Sequence, residues 1–95
     1  MKLIILGAGG YGRTVADIAR QSGRYTEVSF LDDNSIDPLV IGECSDYINH
    51  IDSETELYPA FGNNEGRIQW IEQLEAAGAN IPTIIHDTAY VSPEA

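Results

Sequence analysis

The sequence predicts an α/β fold, a three-layer βαβ sandwich around a short parallel sheet of about four strands. Three observations predict it. Short apolar runs alternate with segments of helical periodicity, and a glycine cluster follows the first of those runs directly. The third is size: 95 residues make one domain, since typical domains run to roughly 100–150 residues. A chain this short buries roughly 65% of its unfolded surface, enough for one small core. A complete two-domain dehydrogenase is excluded. With 43% apolar and 21% charged residues, the composition is globular rather than disordered.

Leu3 to Leu6 is a continuous apolar run ending at glycines, as a strand buried on both faces does in a parallel sheet. Val15, Ile18 and Ala19 then recur at helical spacing, with Gly23 placed to end the helix. Residues 28–31 are a second apolar run, stopped by the turn-forming Asp32-Asp33-Asn34. Residues 1–33 therefore read strand–helix–strand. The pattern is weaker over residues 35–56. Pro38 and Gly42 bracket Leu39-Val40-Ile41, an extended edge segment, and residues 44–51 suit a helix with Tyr47, Ile48 and Ile51 on one face. Residues 57–61 read as the third strand, with Pro59 counting against it. Residues 65–77 form a helix with an apolar stripe of Ile68, Ile71, Leu74 and Ala77, capped by Asn64 and ended by Gly78. Residues 82–85 are the fourth strand.

Right-handed crossovers favour the strand order 2-1-3-4, with 3-2-1-4 as the alternative. In the favoured order the loops at residues 7–12 and 62–64 are neighbours in the crevice at the carboxyl ends of the strands. That reversal point is where open α/β sheets bind ligands.

Charge narrows the function. Five Lys+Arg against fifteen Asp+Glu give a net charge of −10. A nucleic-acid binder needs a basic patch to displace counterions from phosphates, and five scattered cations make none. An anionic membrane surface is disfavoured for the same reason. The lone Cys44 excludes an internal disulfide and any multi-cysteine metal centre. The apolar run at the N-terminus is too short for a signal peptide or a membrane span, so a cytoplasmic location is expected.

The chemistry concentrates at the glycine loop. Gly7-Ala8-Gly9-Gly10-Tyr11-Gly12 satisfies G-x-G-x-x-G between a strand and a helix. Gly7 permits the tight turn, Gly9 lets the backbone approach an oxyanion, and Gly12 lets the helix pack on the strand. The helix start then offers unpaired N–H groups and a positive dipole end to a phosphate. Arg13 follows at once and Arg67 opens the helix after residue 64, so both flank the crevice. Each could equally be a surface arginine paired with an acid such as Glu65 or Asp17. Asp32, at the end of the second strand, can accept from ribose hydroxyls or a uracil N3–H. Asp33 shares that role or caps the turn, and an Asx-turn is the competing reading for both. His50 reads as a solvated helix residue, His86 as a junction residue, and Cys44 as a small buried side chain. Trp70 and Tyr90 read as packing residues. No catalytic set and no metal-ligand spacing is visible.

With those residues placed, the chain resembles the N-terminal domain of a bacterial sugar acyltransferase family, which includes sialic acid O-acetyltransferases and UDP-4-amino-sugar N-acetyltransferases of bacillosamine-type pathways. The resemblance rests on Gly7-Ala8-Gly9-Gly10-Tyr11-Gly12-Arg13, Phe30-Leu31-Asp32-Asp33, Phe61-Gly62-Asn63-Asn64-Glu65-Gly66-Arg67 and Ile84-Ile85-His86-Asp87-Thr88-Ala89-Tyr90-Val91-Ser92-Pro93. It implies a Rossmann-like nucleotide-sugar-binding domain over residues 1–88 and, at 89–95, a junction to a left-handed β-helix of hexapeptide repeats. In such a parent the β-helix trimerises, binds acetyl-CoA and carries the catalytic His, so this chain resembles an excised or truncated domain with no catalytic residue of its own. The resemblance implies that Gly9, Gly10, Tyr11, Gly12, Asp32 and Gly62 hold a UDP-sugar, in particular a UDP-amino-sugar; with Arg13, Asp33, Asn63, Asn64 and Arg67, read from their places beside the crevice, they make up the expected site. The family loop often reads Gly-Gly-His-Gly. Tyr11 stands at the His position, where it can hydrogen-bond but cannot carry positive charge.

The expected function is thus UDP-sugar binding within an acetyl-CoA-dependent sugar N- or O-acetyltransferase, homotrimeric in the parent and monomeric as this chain. The glycine loop and Asp32 also fit a truncated NAD- or CoA-binding Rossmann module of a dehydrogenase or ligase, for which four strands are too few. A non-catalytic ligand sensor or interaction module is the third reading, permitted by the lack of visible catalytic residues.

Overall fold

The computed structural model describes residues 1–34, 37–61 and 64–82. The elements run β1 (Lys2–Leu6), α1 (Gly10–Ser22), β2 (Glu27–Leu31), β3 (Val40–Gly42), a 3₁₀ helix (Cys44–His50), β4 (Thr55–Pro59) and α2 (Asn64–Ala76). All pairings are parallel and the sheet order is β3-β2-β1-β4. Leu3 aligns with Val28 on one side and Glu56 on the other. The segments read as strands 1, 2 and 3 are therefore neighbours in the expected 2-1-3 sequence, and the edge segment at residues 39–41 becomes a true strand outside β2. Most of the strand expected at residues 82–85, and the junction at 89–95, lie outside the described residues. The chain's approach to that strand is described: Asn80 bridges Glu56, and its carbonyl accepts the Leu57 N–H at 2.9 Å.

The continuous apolar run of β1 follows from burial on both faces. Leu3 and Ile5 join Phe30 and Tyr58 under Val15, Ala16 and Ala19 of α1. Ile4 and Leu6 join Leu31 and Leu57 on the opposite face, under Cys44 and Leu74. Leu3, Ile5 and Leu6 are fully buried, each contributing about 1.5–3 kcal/mol relative to exposure. Alternate residues of a strand face opposite ways, so the two helices lie on opposite sides of the sheet, and both end at the expected glycines, Gly23 and Gly78.

Pro59 sits in β4 at no cost to the central pairing. The Ala60 N–H donates to the Leu6 carbonyl at 2.8 Å, whereas the Leu57 N–H points the other way, to Asn80. By the two-residue alternation the nitrogen of Pro59 also faces away from β1, where a missing donor breaks no bond to it.

Two side chains expected in the core are outside it: Ile48 and Ile68 are each 55% exposed. The helix carrying Ile48 is 3₁₀, with three residues per turn, so Cys44 and Tyr47 share its inner face and Ile48 turns outward. On α2 the inner face runs through Trp70 and Leu74. Trp70 wedges edge-on against Tyr47, centroids 5.5 Å apart, and stacks on Phe61 at 6.3 Å, which rotates Ile68 off the core.

Candidate functional site

The carboxyl ends of β1, β2 and β4 converge with the starts of both α helices. β1 leaves the sheet at Gly7, whose N–H donates to the Leu31 carbonyl at 2.8 Å and whose φ of +103° is a left-handed value suited to glycine. A Cβ on Gly12 would lie 1.9 Å from the Gly7 carbonyl oxygen, so α1 seats directly on the turn. Gly7 and Gly12 are thus required by the fold.

Gly9 and Gly10 differ. A Cβ on either would meet nothing within 4 Å, and neither has a positive φ. Gly9 occupies the N-cap of α1, with no side chain capping the helix. Serine or aspartate there would stabilise the helix start by about 1 kcal/mol. Glycine forgoes that and leaves the first-turn donors accessible to an outside acceptor.

The loop is fixed from β2. One carboxylate oxygen of Asp32 accepts the Ala8 N–H at 2.7 Å and the other accepts the Asn34 N–H at 2.8 Å. Asp32 therefore both closes an Asx-turn and pins the glycine loop through charge-assisted bonds. Asp33 turns elsewhere: its Oδ1 accepts the Cys44 N–H at 2.9 Å, at the start of the 3₁₀ helix. Burial, and after it the negative charges of Asp33 and Asp32, push the Cys44 thiol up to about 11. It is a protonated, buried side chain rather than a nucleophile.

Arg13 donates from Nε to the Ala8 carbonyl at 3.2 Å and pairs with Asp37 through Nη2, rather than with Glu65 or Asp17. The Leu39 N–H, and after it Arg13, hold the Asp37 carboxyl below its ordinary range. From the far side of the crevice, Arg67 donates Nη1–H to the Tyr11 hydroxyl at 3.1 Å. Tyr58 adjoins the same Tyr11 hydroxyl, and burial, followed by its interaction with Tyr11, raises its pKa.

The structure therefore gathers residues 9–13, Asp32 and Arg67 at one end of the sheet and turns Asp33 toward the 3₁₀ helix. Gly62 and Asn63 lie outside the described residues; Asn64 is the first residue of α2. Tyr58 and Asp37 are additions that sequence reading missed. The one available signal was a phenol within an otherwise buried strand, since buried tyrosines seek a partner for their hydroxyl. His50 lines a cavity of about 170 Å³ at the opposite end of the sheet, with Lys2, Glu27, Ser29 and Asp52; His86 is outside the described residues. Among the described residues no group of three His, Cys, Asp or Glu could hold a metal ion, and no helix is long and apolar enough to cross a membrane.

Comparison with known proteins places this arrangement. The PglD N-terminal domain family matches over residues 2–74. The acetyltransferase domain of PglB from Neisseria gonorrhoeae FA1090 superposes with a TM-score of 0.78 at 36% identity, over 85% of this chain and 42% of that one. The same domain in complex with acetyl coenzyme A gives a TM-score of 0.73 at 37% identity, over 82% of this chain and 40% of that one. The chain spans about two fifths of the length of each.

Proposed function

The chain belongs to the PglD N-terminal domain family, and on that footing we propose that it is the nucleotide-sugar-binding domain of an acetyl-CoA-dependent sugar N- or O-acetyltransferase. The observation that carries this reading is the pair of glycines at positions 9 and 10. No neighbouring atom of the described residues and no backbone angle requires them, and they stand at an uncapped helix start beside the point where the strand order reverses. A diphosphate fits that position: backbone donors of residues 9–12 take its oxygens, and Arg13 and Arg67 offset the repulsion of a chain of net charge −10. Asp32 faces the ribose or uracil, while Asp33 supports that turn through the Cys44 N–H; residues 62–64 are read as further contacts to the same ligand. The sugar is a UDP-sugar, in particular a UDP-amino-sugar.

In this reading the chain binds and the rest of the parent catalyses. Acyl transfer from acetyl-CoA needs a base for the attacking amine or hydroxyl. Beside the glycine loop the Asp32 carboxylate is engaged by backbone N–H groups of Ala8 and Asn34, His50 is at the other end of the sheet, and Cys44 keeps its proton to about pH 11. Acetyl-CoA and the base therefore belong to a left-handed β-helix reached through residues 89–95. That β-helix also makes the homotrimer, leaving this chain alone a monomer in the cytoplasm.

Scanning calorimetry tests the reading. With a Kd of about 1 mM, a UDP-sugar at about 10 mM stabilises by about 1.4 kcal/mol, a rise in Tm of roughly 6–11 °C for a domain of this size. Acetyl-CoA and NAD at the same concentration are expected to move it little. A larger shift with NAD would favour the dinucleotide module. Release of CoA from acetyl-CoA and a UDP-amino-sugar by this chain alone, lost in His86→Ala, would make the domain catalytic.

A further inference from the structure

Three of the four arginines are matched to carboxylates: Arg13 to Asp37, Arg20 to Asp17 and Arg24 to Glu56. Arg67 is the exception. Among the described residues its partner is a neutral hydroxyl, that of Tyr11 at 3.1 Å. In a chain with fifteen acidic side chains and five basic ones, a half-buried guanidinium that faces no carboxylate among the described residues calls for an explanation. Its place supplies one. Tyr11 lies in the first turn of α1 and Arg67 in that of α2, helices that pack on opposite faces of the sheet. The bond between them therefore crosses the carboxyl edge of β1 and β4, over the crevice.

We propose that Tyr58 and Tyr11 are positioning residues that hold the Arg67 guanidinium over the crevice as the group that reads the charge of the ligand's diphosphate. The proposal rests on the reading of this crevice as a nucleotide-sugar site. Its logic is a count of donors. Arg67 can only donate. Tyr58 is 4% exposed and stays protonated at neutral pH, burial and the neighbouring Tyr11 both raising its pKa; in the proposed arrangement its hydroxyl donates to Tyr11 as well. The Tyr11 oxygen then accepts from both, and its own O–H is left to point outward as a second donor beside the remaining guanidinium N–H groups. A planar guanidinium held in advance loses less freedom when it takes a diphosphate.

Titration calorimetry with UDP and with uridine, which lacks the diphosphate, tests this on the parent chain, R67Q, Y11F and Y58F. R67Q is expected to weaken UDP about tenfold, the scale of a lost charge-assisted bond. Y11F, which keeps the ring, should weaken UDP about threefold, as for one neutral bond. Y58F should act in the same direction and less. Uridine affinity should be unchanged in all three. UDP binding to Y11F as to the parent would overturn the positioning role. Equal losses for UDP and uridine in R67Q would overturn charge reading and leave Arg67 a structural residue. A parent that binds neither ligand refutes the nucleotide-sugar reading itself, an outcome distinct from the other two.

Discussion

The two ends of the sheet use the same kinds of side chain to opposite effect. At the amino end Glu56, 6% exposed, is enclosed by Arg24 and by the Tyr25 hydroxyl, which donates to its Oε1 at 2.5 Å. Together they clasp the turn between α1 and β2 to β4. At the carboxyl end Asp32 is also bonded, but to the backbone N–H groups of Asn34 and of Ala8, in a loop whose central glycines face open space among the described residues, and among those residues Arg67 has only a phenol. One cluster closes upon itself; the other is assembled and leaves donors over. Stability and binding are thus separated along the strand direction, and each can be perturbed without the other.

The largest expected effect comes from Gly12→Ala. Its Cβ would sit 1.9 Å from a main-chain oxygen that cannot swing away, so α1 must lift off the turn, at a cost above about 3 kcal/mol in urea denaturation. Next is Glu56→Gln. Removing the buried charge that Arg24 and Tyr25 share should cost about 2–3 kcal/mol and leave UDP affinity unchanged. If E56Q weakened UDP binding as much as it weakened the fold, the separation of the two ends would fail.

Alkaline pH gives a third, smaller effect. The thiol of Cys44 is raised from an ordinary 9.0 to about 11. Above pH 9 the unfolded chain therefore releases a proton that the folded chain retains. Stability then falls with pH, by about 1.4 kcal/mol per unit, until the folded thiol ionises near 11. Cys44→Ala should flatten that part of a denaturation series taken at rising pH. Smallest is Gly10→Ala. Gly10 is helical, its φ is not positive, and nothing lies within 4 Å of the added carbon. The domain should gain about 0.5–1 kcal/mol while UDP binding weakens. A variant that gained stability and kept its affinity would mean that the space above Gly10 is not ligand space.

The βαβ start and the glycine loop were legible because two independent signals coincide there: an apolar run of strand length and a glycine spacing that only a strand-to-helix turn needs. β3 was weaker because an edge strand of three residues leaves Leu39 and Ile41 largely exposed, so no burial pattern marks it. The 3₁₀ helix has a period of three, and a reading tuned to 3.6 turned Ile48 inward. The pairings of Arg13 with Asp37 and of Arg67 with Tyr11 join residues 24 and 56 positions apart. Such partners are set by the order of the strands, which local pattern narrows without fixing. Composition also conceals that Arg67 faces no carboxylate among the described residues while the other arginines do.

The central claim is that the open end of the sheet, and not the closed one, takes a nucleotide diphosphate. The most direct measurement is a map of backbone amide resonances during titration with UDP to about 10 mM, ten times a Kd of about 1 mM. The amides of residues 9–13 and Asp32 are predicted to shift together on one saturation curve, while those of residues 24–26 and Glu56 stay in place. Saturable shifts confined to the amino end, or a glycine loop that stays still while UDP binds, would contradict it.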